Sequence, residues 1–171
     1  MAKASPTLIF SHWYNSIENF QTSPKQFYGH IEDAIAKRQV PDVKLFRVDW
    51  REGGILSAKR EYLRVRRKKL VFDICGAPFG TGFFVSWWLG ELPSGFLAFL
   101  VGIPFIGVFF AWLITRFIRP ETYYKLDTAN MFQQAIHASV LQVVDEVTSA
   151  KGLRALSELE RKPILREFSR R

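Results

Sequence analysis

The chain has 171 residues, and 24 Lys and Arg against 16 Asp and Glu leave a net charge of +8. One cysteine excludes an internal disulfide. A mean hydropathy of -0.01 averages an apolar middle with charged flanks, which excludes a uniformly polar disordered chain.

In chain order, Lys3 and the short apolar cluster Leu8 to Phe10 are too little for a cleavable signal peptide, so none is expected. Phe10, Trp13, Ile17 and Phe20 then recur at steps of three or four, which predicts an amphipathic N-terminal helix over residues 8–20. Its polar face has almost no Lys or Arg. Docking on the rest of the domain is therefore favoured over lying on a membrane surface. Ser23, Pro24 and Gln26 form a helix start. Phe27, Ile31, Ala34 and Ile35 make its apolar face, and Pro41 ends it.

From Val43 the period changes to two. Phe46, Val48 and Trp50 face one way, and Leu45, Arg47 and Asp49 the other. Glu52, Gly53 and Gly54 read as a turn. A second extended run goes from Ile55 to about Phe72. Within it Leu63 and Val65 alternate with Tyr62, Arg64, Arg66 and Lys68, giving one cationic face. A helix packed on an antiparallel hairpin or three-stranded sheet follows from this pattern.

Between Ile74 and Thr115 the only formal charge is Glu91. Ile74 to Gly90 is 17 uncharged residues and Phe96 to Thr115 is 20, near the length that spans about 30 Å of hydrocarbon. They predict two transmembrane helices, about 74–92 and 95–117. Gly76 and Gly80 suit close helix approach, and Pro78 kinks the first span. Lys and Arg flank the pair on both sides and are missing from its turn, so both termini are expected in the cytoplasm. After Pro120 a long helix is predicted from Glu121 to about Ala150. Its stripe is Ala129, Phe132, Ile136, Val140, Val143 and Val147, which serves either a helical bundle or packing on the sheet.

The expected architecture is thus an α+β membrane protein. Residues 1–72 form a small cytosolic helix-plus-antiparallel-sheet domain, 73–118 a two-helix transmembrane hairpin, and 119–171 long cytosolic C-terminal helices. This layout resembles that of small membrane effectors in bacterial defence and signalling, a likeness that does not fix function.

No catalytic constellation appears. His12, His30 and His137 fall in three separate predicted helices, and there is no HExxH, CxxC or P-loop. Cys75 has apolar neighbours that make it inert packing. No enzyme activity, cofactor or metal is expected. Two features stand out. Asp73 either snorkels to the headgroups or pairs with Arg116 or Arg119, or it forms a charged ring at the mouth of a pore. Arg64, Arg66, Arg67, Lys68 and Lys69, with Tyr62, Phe46 and Trp50 nearby, either hold topology and anionic lipid or bind a nucleotide, oligonucleotide or lipid headgroup. The leading expectation is a homo-oligomeric ion channel or pore gated by an anionic ligand, with Asp73, Gly76, Pro78 and Gly80 at the pore and helix contacts. The alternative is a non-conducting membrane tether that recruits a partner protein or lipid.

Overall fold

The structure, a computed structural model, describes residues 2–3, 8–51, 59–92 and 122–165. Its elements run β1 (Ala2–Lys3), β2 (Leu8–Ile17), α1 (Pro24–Lys37), β3 (Val43–Arg51), β4 (Lys59–Arg67), β5 (Leu70–Phe79), β6 (Gly82–Glu91), α2 (Tyr123–Ala150) and β7 (Ile164–Leu165). The strands form one sheet in the order β1-β3-β4-β5-β6-β2-β7. The five long strands are antiparallel throughout, and the short β1 is parallel to β3.

The first expected membrane helix, 74–92, is instead the far part of β5, a turn, and β6. Gly80, at a φ of 60°, turns the chain so that Phe79 pairs with Gly82. Only a residue without Cβ takes this left-handed conformation without strain. The turn divides the apolar run into two strands of 10 residues each. Both faces of this hairpin carry apolar side chains. Phe72, Ile74, Phe83, Val85, Trp87 and Leu89 are buried on one, and Val71 and Cys75 on the other. A strand covered on both faces reads as a continuous apolar run. Among the described residues no helix is long and apolar enough to cross a membrane. This overturns the expected α+β membrane fold, the multi-pass placement with cytoplasmic termini, and the ion channel. The second expected span, 95–117, lies outside the described residues, as do Arg116, Arg119 and the turn at 52–54.

Residues 8–20 also differ from expectation: 8–17 form β2, not part of an amphipathic helix. Trp13 and Ile17 are four apart, a spacing that shares one face of a strand as well as of a helix. Ring-rich and β-branched side chains decide for the strand. A register shift between Ile9 and Ser11 places Phe10 in a bulge. The single extended run expected over 55–72 breaks at Lys68 and Lys69. Lys68 takes a φ of 55°, and Arg66 Nε donates to its carbonyl at 2.9 Å.

The helices follow the sequence closely. Ser23 caps α1 by accepting from the Gln26 N–H at 3.2 Å, and Phe27, Ile31, Ala34 and Ile35 are buried. Phe132, Ile136, Val140 and Val143 of α2 are buried too, so its stripe packs within the chain. Both helices cover one face of the sheet. Phe27 meets Phe83 at 5.2 Å between ring centres, and Phe72 meets Trp87 at 4.4 Å and Phe132 at 6.1 Å. Gly76 lets α1 approach: a Cβ there would stand 2.5 Å from the Phe27 ring. The Tyr28 hydroxyl donates to the Glu61 carbonyl at 2.9 Å and accepts from the Gly76 N–H at 3.1 Å, tying α1 to β4 and β5. Burial pushes its phenol well above the usual range. Each such bond contributes on the order of 1 kcal/mol.

After α2 the chain returns as a strap. Trp13 Nε1 donates to the Glu160 carbonyl at 2.5 Å, and Arg161 grips Asp145 through two bonds of 2.9 and 2.7 Å. At the junction sits His137. Its Nδ1 accepts from Trp87 Nε1 at 3.0 Å, so its Nε2 carries the proton and donates to the Arg161 carbonyl at 2.7 Å. Burial holds its pKa below the ordinary 6.5. Protonation would set a second N–H against that of Trp87. A histidine with a depressed folded-state pKa contributes stability that is intact above about 6.5 and is lost as pH falls through the lower value. Urea unfolding between pH 7.5 and 5 is therefore expected to show stability falling below pH 6.5, with a shallower fall in His137→Gln. An equal fall in the variant would remove His137 as the cause.

Candidate functional site

The face of the sheet opposite the helices is set by strand register. Opposed residues of an antiparallel pair share a face. The pairs Phe46–Arg64, Val48–Tyr62 and Trp50–Arg60 join β3 to β4, Arg64–Asp73 joins β4 to β5, and Asp73–Trp88 and His12–Trp88 carry the row on to β6 and β2. The helix-side neighbours Leu63, Ile74 and Trp87 fix the alternation, because they are buried in the core with α1 and α2.

On this second face lies a cavity of ≈ 280 Å³ lined by Ile9, Trp50, Tyr62, Asp73, Trp88, Leu89 and Gly90. Asp73 in its lining is one half of an ion pair. Arg64 Nε donates to Asp73 Oδ1 and Nη2 to Oδ2, both at 2.6 Å. The two residues are 3% and 5% exposed. A fork of this kind satisfies both carboxylate oxygens at once and leaves the pair without net charge. Burying it carries a large desolvation cost, which the paired geometry offsets.

A row of rings extends from the cavity across β6 and β2. His12 stacks on Trp88 at 4.7 Å and 13°, and Tyr14 follows His12 at 6.3 Å and 8°. Phe84 lies 6.4 Å beyond Tyr14. Trp88 is 39% and Tyr14 57% exposed. Lys44, Arg60 and Arg66 occupy the same face and are exposed. Lys44 opposes Arg66 at one end of β3 and β4, and Arg60 opposes Trp50 toward the other. Among the described strand residues, Asp73 is the one acid on this face.

The basic cluster expected from sequence is therefore divided. Tyr62, Arg64 and Arg66 share the second face, but Arg64 is buried and committed to Asp73. Arg67 lies on the helix side opposite Val43 and donates to the Pro41 carbonyl at 3.2 Å. Lys68 and Lys69 form the β4–β5 turn. Asp73 is paired with Arg64 on the neighbouring strand; the partners expected for it, Arg116 and Arg119, lie outside the described residues. Gly76, Pro78 and Gly80 lie in β5 and its turn, not in a packed membrane helix.

Burial pushes the Cys75 thiol up, opposed by the nearby Arg60 and Tyr62, so the thiolate is disfavoured at neutral pH. His30 is exposed on α1, far in sequence and fold from the ring row. Among the described residues no group of three or more His, Cys, Asp or Glu could hold a metal ion. Trp88, His12 and Ile9 were not expected in a site. The alternation of Phe84, Ser86 and Trp88 is the sequence signal that places Trp88 opposite Trp87. No family model, curated protein or solved structure matches this chain.

Removing one partner of a buried pair leaves an uncompensated charge, which costs about 3–5 kcal/mol. Asp73→Asn is expected to lose stability of that order in urea unfolding. The double variant Arg64→Met with Asp73→Leu is expected within about 1 kcal/mol of the parent. A loss below about 1 kcal/mol in Asp73→Asn would show that the pair does not stabilise the fold.

Proposed function

We propose that the protein is a binding module, acting without catalysis, that recognises an anionic partner on the second face of its sheet. The observation that carries this reading is the combination on one face of a ring-lined cavity, an internally neutralised ion pair, and the exposed cations Lys44, Arg60 and Arg66. The chemistry on offer is stacking, apolar contact and charge attraction. Asp73 and Arg64 satisfy each other, so neither is poised as a general acid or base. The overall charge of +8 favours encounter with polyanions from a distance.

Inorganic polyphosphate, titrated at several salt concentrations, tests this reading. Affinity is expected to fall linearly on a log–log plot, as counterions are released from the polyanion. A Lys44→Ala, Arg60→Ala, Arg66→Ala triple variant is expected to flatten the slope by about 2, near 0.7 for each lost contact. Lys37→Ala with Lys151→Ala, exposed at the C-terminal ends of the two helices, is expected to leave it nearly unchanged. Equal flattening in both variants would mean attraction to the whole molecule, and the face would have no special role.

A further inference from the structure

The rings say more about the partner than its charge does. Four of them, Phe84, Tyr14, His12 and Trp88, run in series along β6 and β2 with centroid separations of 6.4, 6.3 and 4.7 Å. Two more, Trp50 and Tyr62, line the cavity from β3 and β4. Along this face Lys44 and Arg66 stand one residue pair beyond Phe46, and Arg60 stands level with Trp50. A partner offering only negative charge, such as an acidic peptide or polyphosphate, would leave the exposed Trp88 and Tyr14 without a matching group. A partner that alternates negative charge with flat rings would use both.

We infer that the second face takes single-stranded nucleic acid, with one base seated in the cavity against Trp88 and a further base against the exposed Tyr14. The inference rests on the anionic-partner reading above and refines it. Bases in a duplex are already stacked on one another, whereas unpaired bases present their faces to side-chain rings. Stacking tolerates any base, so little sequence preference is expected. The neutral ion pair contributes too. Because Arg64 is held by Asp73, a base entering the cavity meets paired charges and not a bare cation competing for phosphate.

Four ligands of matched length separate the possibilities by fluorescence anisotropy: a thymidine decamer, an abasic deoxyribose-phosphate decamer, a thymidine–adenine decamer duplex, and a glutamate decapeptide. The thymidine decamer is expected to bind roughly tenfold or more tightly than the abasic one, from stacking of the order known for base–ring contacts. Trp88→Ala is expected to abolish most of that ratio. Tyr14→Ala, at a more exposed position, is expected to reduce the ratio in a variant whose fold is not at stake. Equal affinity for the thymidine and abasic decamers would overturn the inference while leaving the anionic-partner reading standing. Tighter binding of the glutamate peptide, or of a thymidine–adenine duplex, would overturn it also. No binding of polyphosphate or of any decamer would remove the underlying reading itself.

Discussion

The buried pair between Arg64 and Asp73 is the constraint on which the two faces of this sheet depend. It joins β4 to β5 at the middle of a seven-stranded sheet, at a position where each residue is nearly inaccessible to water. A slip of one residue in register would turn both side chains toward the opposite face and set them among Leu63, Phe72 and Ile74. The pair therefore holds register as well as charge. It also decides what the cavity can be. With both carboxylate oxygens engaged, the Asp73 part of the lining is polar yet neutral, and recognition falls to the rings and outlying cations around it.

Opposite that face, the helices are held by close approach of aromatic surfaces and by one hydroxyl. Gly76 makes room for Phe27, and the Tyr28 hydroxyl answers both a carbonyl of β4 and an N–H of β5. Such a bond is modest in isolation, but leaving the buried Gly76 N–H unmatched would cost about 1–3 kcal/mol. The C-terminal strap closes this side through Trp13, His137 and Arg161. Two of the molecule's tryptophans, Trp13 and Trp87, thus use their N–H groups as internal fasteners. Trp50 and Trp88 line the cavity on the other face.

Local signals were legible where one element could satisfy its own requirements. The Ser23 cap, the α1 face from Phe27 to Ile35, the alternation of Phe46, Val48 and Trp50, and the α2 stripe all follow from short-range pattern. The cationic side of β4 was legible as a face, and so was the need of Asp73 for a partner. What failed was the inference from hydropathy to a membrane helix over 74–92. A hairpin in the middle of a sheet buries apolar side chains on both faces, so the amphipathic alternation that marks a half-buried strand is blurred. Gly80 carried the turn signal, but within an apolar run it reads equally as a helix-packing glycine. Residues 8–20 failed for a different reason: Trp13 and Ile17, four apart, satisfy both periods. The site inherits these errors. Trp88 and His12 belong to the two segments read as helices, so the pairing of Trp88 with Asp73 on one side and His12 on the other was not visible in the sequence.

The account turns on one claim, that the ligand face is the one bearing Trp50 and Trp88 and not the one bearing Trp13 and Trp87. Indole N–H resonances, recorded while a thymidine decamer is added, address it directly. The account predicts that the signals of Trp50 and Trp88 move with saturation, while those of Trp13 and Trp87, held by the Glu160 carbonyl and by His137, stay in place. Movement of the Trp13 and Trp87 signals with Trp50 and Trp88 unchanged would contradict it.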